Sequence, residues 1–162
     1  MRRIFGAALT GAGLAILAAV GIVYAKGRIA RDQARTQWEV LEAHGAVADV
    51  ARQVERVEDH AAPARGSPVA RIVIPAIGVD EVVVEGVDED QLAAGPGHLP
   101  GSAFPGDSGN AVISAHRDRQ FHGLDQVAIG DTVITETLAG RVTWVVVGRR
   151  VVGEGEPALF AT

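Results

Sequence analysis

The sequence contains no cysteine, and this absence excludes three kinds of chemistry within its 162 residues. Disulfide bonds, thiolate metal sites and a thiol nucleophile all require cysteine side chains. Aromatic residues are also scarce, at 4%, although 48% of the residues are hydrophobic. A core must therefore be built mainly from valine, alanine, leucine and isoleucine. The 20 glycines and 7 prolines predict a turn-rich, mainly β fold.

Clustered basic residues are missing from the C-terminal part of the chain. Residues 63–162 contain seven Lys or Arg and thirteen Asp or Glu, within a chain of net charge −5. Phosphate backbones are bound by clustered Lys and Arg, so we predict no nucleic-acid partner. The length allows one domain of ordinary size plus an appendage.

The stretch from Ile4 to Ala25 lacks charged residues. As a helix it would span roughly 30 Å, the thickness of the hydrocarbon layer of a bilayer. We therefore predict a single-pass transmembrane anchor, with residues 1–27 comprising the cytoplasmic N-terminus and this anchor. A cleaved signal peptide ending near Ala25 is the alternative. The positive-inside rule leaves orientation open, because basic residues flank both ends of the stretch.

Residues 28–67 are predicted to form a helical stalk followed by a Pro/Gly linker, and residues 68–162 a β domain. We expect the stalk to be a solvated spacer that holds the domain off the bilayer, with Gly45 interrupting its helix. In the β domain, we predict a helical turn over Asp88–Leu92, capped by Asp88, and a long loop over residues 95–109. Strands are predicted over Ala70–Ile74, Val79–Glu85, Asn110–Ala115, Asp131–Thr137 and Val142–Val152, with a further element at Ala158–Phe160.

His116 directly follows a predicted buried strand, and Arg117 and Asp118 come next. A strand end holds an imidazole in a defined direction, and Asp118 is near enough in sequence to orient it. Structural and catalytic interpretations of His116 both remain open on this pattern alone.

Two other kinds of site have weaker support in the sequence. A metal site would draw on five residues that lack a recognised ligand spacing, namely His98, Asp107, His116, Asp118 and His122. A serine nucleophile would need an elbow motif that does not surround Ser102, Ser108 or Ser114.

Two stretches resemble class D and related sortases. GPGHLPGSAFPGDSGNAVISAHRDRQFHGLDQVAIGD at Gly95–Asp131 is similar to their central block, and RIVIPAIGVDEVVVEG at Arg71–Gly86 to their opening strands. The resemblance implies a sortase-type β-barrel, incomplete here, with a transmembrane helix and a helical stalk. It also implies an extracytoplasmic domain on a cell-membrane anchor and sorting-signal peptides as substrates. Nothing in the sequence requires a cofactor, and we predict no metal site.

The resemblance assigns His116 to the family's HRD motif, as the general acid, with Arg117 and Asp118 in supporting roles. In that family a cysteine thiolate attacks an LPxT-type sorting signal, and an amine of the cell wall or of a pilus subunit accepts the product. The nucleophilic cysteine and the oxyanion-binding arginine are expected after a segment like Pro157–Thr162. We therefore expect the sequence to be a fragment, inactive alone. The alternatives are a natural inactive relative, a membrane-tethered peptide-binding module, and a metal-dependent hydrolase.

Overall fold

The computed structural model describes residues 2–48 and 63–152, and the first of these ranges is a single helix. This helix, α1, extends from Arg2 to Ala48. Among the described residues it is the one helix that is long and apolar enough to cross a membrane. The predicted N-terminal apolar helix is therefore present, and it continues without a break into the predicted stalk.

The prediction that Gly45 interrupts this helix is wrong, because α1 continues to Ala48. A glycine inside a helix costs only about 1 kcal/mol relative to alanine. A Cβ atom at position 45 would lie 3.5 Å from the Leu138 Cδ2 atom, so the helix meets the β domain here. Contacts of this kind offset the low helix propensity of glycine.

The prediction of a solvated spacer is also wrong for the described part of the stalk. Ala34 and Trp38 are 5% and 3% exposed and form a cluster with Val82 and Val84. Residues four apart lie on one face of a helix, so this pair presents an apolar surface to the domain. Burying a side chain as large as tryptophan stabilises the docked arrangement more than solvation of the helix would.

The described part of the β domain has the strands β1 (Pro68–Ile74), β2 (Val79–Glu85), β3 (Gly97–His98), β4 (Ile113–Ser114), β5 (Thr132–Thr137) and β6 (Gly140–Val145). They form one sheet with the order β4-β3-β2-β1-β5-β6. Strands β2 and β3 pair in parallel, and the other neighbours are antiparallel. The short helix α2 (Glu89–Ala94) connects the parallel pair. The sheet is curled into a half-barrel, which confirms the predicted mainly β fold with an incomplete barrel.

The strands predicted at β1, β2 and β5 are confirmed, but the predictions for three other segments, two strands and a loop, are wrong in their bounds. The strand predicted over 110–115 is only Ile113–Ser114, and the one predicted over 142–152 is Gly140–Val145. The loop predicted over 95–109 contains β3. A Cβ at Gly97 would collide with the Gly86 carbonyl oxygen, so glycine allows the loop to pair with β2. Ala158–Phe160 lies outside the described residues.

Helix α2 confirms the predicted helical turn, but not its predicted cap. Asp88 occupies the N-cap position without a side-chain capping hydrogen bond. Its carboxylate instead forms an ion pair with Arg65. The ion pair takes the carboxylate oxygens away from the free N–H groups at the start of the helix.

The hydrophobic core is built mainly from side chains of β1 and β2. Val82 and Val84 of β2 instead contact α1 on the other side of the sheet. Strand β2 is therefore buried on both faces over Val82–Val84, which explains the apolar run at these three positions. The core consists of Val69, Ala70, Ile72, Ile74, Val79, Val83, Phe121 and Val127.

Candidate active site

His116 lies just after β4, at the start of a tight turn that holds its backbone. The His116 carbonyl oxygen accepts hydrogen bonds from the N–H groups of Arg119 at 3.2 Å and Phe121 at 3.1 Å. Phe121 is 7% exposed and belongs to the core. The turn is therefore fastened to the rigid part of the domain, and the direction of the imidazole is set by packing.

The His116 ring combines restricted access with an unused nitrogen. The side chain is 27% exposed. Its Nε2 atom is buried and has no hydrogen-bond partner among the described residues. The Glu89 Oε1 atom lies 4.0 Å from it, beyond hydrogen-bond distance. This ring nitrogen is therefore not engaged by the described residues, and it could exchange a proton with a molecule whose binding displaces the atoms that cover it.

Arg117 and Asp118 are placed differently from His116. Both side chains are exposed. Within residues 63–152, no hydrogen bond or ion pair joins either of them to the imidazole. Their supporting role stays a prediction, and the acidic residue that the structure brings beside His116 is Glu89.

Sequence reasoning missed Glu89, because nothing in the linear spacing relates it to His116. Glu89 begins α2, and this helix lies in the crossover from β2 to β3, the strand that pairs with β4. Gln120, which is 6% exposed, links the His116 turn to α2. Its Nε2–H group donates to the Leu92 carbonyl oxygen at 3.4 Å, so α2 contacts the His116 turn.

A second histidine, His98 on β3, makes a Ser–His–Glu arrangement that resembles a catalytic triad. Its Nδ1 atom lies 2.7 Å from Glu85 Oε2, and its Nε2 atom lies 3.0 Å from Ser102 Oγ. The His98 Nε2 atom also lies 3.0 Å from the Ala103 carbonyl oxygen, which can only accept. The Ser102 hydroxyl donates to the Leu99 carbonyl oxygen at 2.8 Å, so its proton is not directed at the ring.

These hydrogen bonds of the ring therefore assign His98 a structural role. Each ring nitrogen lies within hydrogen-bond distance of an acceptor oxygen, Nδ1 of the Glu85 carboxylate and Nε2 of the Ala103 carbonyl. The ring is 1% exposed and no substrate reaches it. Sequence reasoning missed this pair, although an acid at the end of the apolar run VVVEG was a usable signal.

The metal site considered from the sequence is not assembled. Within the described ranges, no three His, Cys, Asp or Glu side chains are grouped as metal ligands would be. His98 is enclosed by protein partners, whereas His122, Asp107 and Asp118 are exposed. The metal-dependent hydrolase therefore has no geometric support in this part of the chain.

Comparison with known proteins identifies the family. A family model described as a sortase domain matches residues 72–161. Sortase D of Bacillus subtilis (strain 168) is 30% identical over 98 residues, which are 60% of this chain and 50% of that protein. The chain thus spans half the length of that relative. Because the family model covers more than half of the chain, the chain belongs to the sortase family.

Solved sortase structures share the fold. The Clostridium perfringens Sortase D5 transpeptidase matches with 31% identity and a TM-score of 0.51, over 54% of this chain and 57% of that one. The SrtF sortase from Corynebacterium diphtheriae matches with 28% identity and a TM-score of 0.51, over 62% and 52% of the two chains. The predicted likeness to class D sortases is confirmed. Sortases are generally cysteine transpeptidases, and this sequence contains no cysteine.

Proposed function

We propose that the chain is part of a membrane-anchored sortase in which His116 is the general acid. The substrate is an LPxT-type sorting signal of a surface protein, and the acceptor is an amine of the cell wall or of a pilus subunit. The observation that supports this proposal is the buried Nε2 atom of His116, which lacks a hydrogen-bond partner among the described residues. His98 offers no comparable nitrogen, because its ring is fully engaged.

The chemistry explains why such a nitrogen is needed. A thiolate adds to the threonine carbonyl, and the C–N bond then breaks to leave a thioester. The departing amine is a poor leaving group until it gains a proton, which the His116 Nε2–H group supplies. The acceptor amine next attacks the thioester, returns a proton to the imidazole and releases the thiolate.

Two groups in this scheme are not among the 162 residues. The thiolate requires a cysteine, of which the sequence has none. The oxyanion requires a positively charged or N–H donor, which the family takes from an arginine that no residue here matches. The proposal therefore requires further sequence that supplies both groups, and residues 1–162 alone are expected to be inactive.

The anchoring part of the proposal rests on α1. Its apolar part would cross the membrane once, with the N-terminus in the cytoplasm and the β domain outside the cell. The exposure of every described side chain from residue 12 to residue 26 supports this placement, because lipid would surround them.

The test uses the gene read through beyond codon 162. The wild-type product, His116→Ala and His122→Ala are incubated with a fluorescent LPxT peptide and an amine acceptor. His122 is an exposed imidazole six positions away, which makes it a matched control. We expect His116→Ala to lose about 10²- to 10⁴-fold in transfer rate and His122→Ala to keep it.

Two results would contradict the proposal. One is transfer by His116→Ala at the wild-type rate. The other is a downstream sequence without a cysteine, in which case binding of the LPxT peptide without cleavage would favour the peptide-binding module.

A further inference from the structure

The surroundings of α1 change abruptly where its apolar part ends. Described side chains from residue 12 to residue 26 are all exposed. Gly27 lies against α2, because a Cβ there would be 3.2 Å from the Ala93 carbonyl oxygen. The guanidinium of Arg119 lies 5.5 Å from the ring centre of Tyr24. The β domain therefore begins to contact α1 at the residue where α1 would leave the membrane, with no spacer between them.

This geometry determines which end of the β domain faces the bilayer, if α1 crosses it as proposed above. Tyr24 would lie at the membrane interface, where tyrosine is common, and Arg119 would lie at the level of the headgroups. Gly45 contacts Leu138, and a helix rises about 30 Å between positions 24 and 45. The β5–β6 turn would therefore be the distant end of the domain.

The bilayer-facing end concentrates positive charge although the domain as a whole is acidic. A cleft between α1, α2 and the His116 turn has four cationic side chains and two carboxylates on its walls. Within the described ranges, Arg31 is ion-paired with Glu81, whereas no ion pair joins Lys26, Arg28 or Arg119 to a carboxylate. The charged residues on its walls are Lys26, Arg28, Arg31, Arg119, Glu89 and Asp90.

We propose that this cleft binds the headgroups of anionic phospholipids and seats the β domain directly on the membrane. Each Lys or Arg near an anionic surface contributes roughly 1 kcal/mol to such binding. The inference rests on the proposed membrane anchoring of α1. It places the His116 turn, which begins three residues before Arg119, at the membrane surface.

Because residues 1–162 contain no cysteine, single cysteines introduced there can carry a fluorescent label in lipid nanodiscs, with any cysteine downstream of residue 162 replaced by alanine. Three single substitutions place the label on the His116 turn (His122→Cys), at the distant end (Ala139→Cys) and within the apolar helix (Leu17→Cys). Headgroup-attached quenchers report proximity to the surface, and acyl-chain quenchers report insertion. Nanodiscs contain phosphatidylcholine alone or with roughly a quarter phosphatidylglycerol.

We expect headgroup quenching at position 122, none at position 139, and acyl-chain quenching at position 17. Quenching at position 122 should rise with phosphatidylglycerol and fall in about 0.5 M salt. The triple variant Lys26→Gln, Arg28→Gln, Arg119→Gln should lose this lipid dependence. Arg141→Gln, which removes an exposed cation from β6, should keep it.

The outcomes distinguish a failure of the headgroup site from a failure of the proposed membrane anchoring by α1. Quenching at position 17 with none at position 122, or equal quenching at position 122 in both lipids, would overturn the headgroup site and leave the anchor intact. Absence of acyl-chain quenching at position 17 would contradict the membrane anchoring itself.

Discussion

His98 and His116 lie at the ends of two paired strands, yet their surroundings differ in every respect that matters for chemistry. His98 is 1% exposed and has acceptors at both ring nitrogens. His116 is 27% exposed and has a buried Nε2 atom with no partner in the described part of the chain. A catalytic imidazole needs a free nitrogen on a rigid backbone, and only His116 combines the two.

The largest expected effect on stability concerns the buried pair. His98→Ala leaves the Glu85 carboxylate buried without its partner, which typically costs 3–5 kcal/mol, so we expect a loss of about that size in the free energy of unfolding. Chemical denaturation monitored by circular dichroism measures it. His116→Ala is the matched control, with an expected loss below about 1 kcal/mol. Equal losses in the two variants would remove the distinction between the histidines.

Trp38 provides a second test of how much a buried side chain contributes to the free energy of unfolding. Trp38→Ala should cost about 3–5 kcal/mol, because it empties the contact between α1 and β2. Trp38→Phe should cost much less, since the Trp38 Nε1 atom has no hydrogen-bond partner among the described residues. Thermal unfolding of both variants in detergent measures the difference. Similar losses for both would show that the indole N–H group contributes to the contact.

Ser102→Ala is expected to cost about 1–3 kcal/mol, because it removes three hydrogen bonds and each has a net value of about 1 kcal/mol or less. The hydroxyl joins the Val112 N–H group, the Leu99 carbonyl oxygen and the His98 ring. We expect peptide transfer by the extended protein to be unchanged, because Ser102 is structural. Loss of transfer with normal stability would instead indicate that the Ser–His–Glu arrangement is catalytic.

The smallest effect concerns an exposed ion pair, which contrasts with the buried one. Arg71 donates two hydrogen bonds of 2.7 Å to Asp80 and lowers the pKa of that carboxyl group. The resulting stabilisation is present above the ordinary carboxyl pKa, near 4, and is lost as the pH falls through the lowered pKa. Because Asp80 is exposed, solvent screening limits the contribution to roughly 0.5 kcal/mol.

Urea unfolding at pH 7 and at acidic pH checks this prediction. Asp80→Asn should be slightly less stable than the wild type at pH 7, and the difference should vanish when Asp80 is protonated in both states. Asp118→Asn, an exposed acid without an ion pair in the described ranges, should show no difference at either pH. A larger deficit of Asp80→Asn in acid would contradict the sign of the pKa change.

Much of the fold follows from local sequence patterns. β-Branched runs predicted β1, β2 and β5, and Asp88–Leu92 predicted α2, because each pattern acts over a few residues. The docking of α1 was not predictable, since Trp38 in a charged helix suits a solvated stalk as well as a packed one. It depends on Val82 and Val84, which are far away in sequence.

The candidate site was predicted in part. His116 was predicted through its position after a strand and through the resemblance to sortases, and its catalytic role stays a prediction. Glu89 was not found, because only the β2–β3 crossover brings it beside the imidazole. His98 was grouped with a metal site, because the sequence does not show that Glu85 and Ala103 would occupy both ring nitrogens.

The most direct measurement of the central claim compares two leaving groups in the extended protein. One substrate carries the normal amide after threonine, and the other carries an ester whose alcohol departs with far less need of a proton. If His116 donates that proton, His116→Ala should lose about 10²- to 10⁴-fold on the amide and far less on the ester. Equal losses on both substrates, or no loss on the amide, would contradict the role assigned to His116.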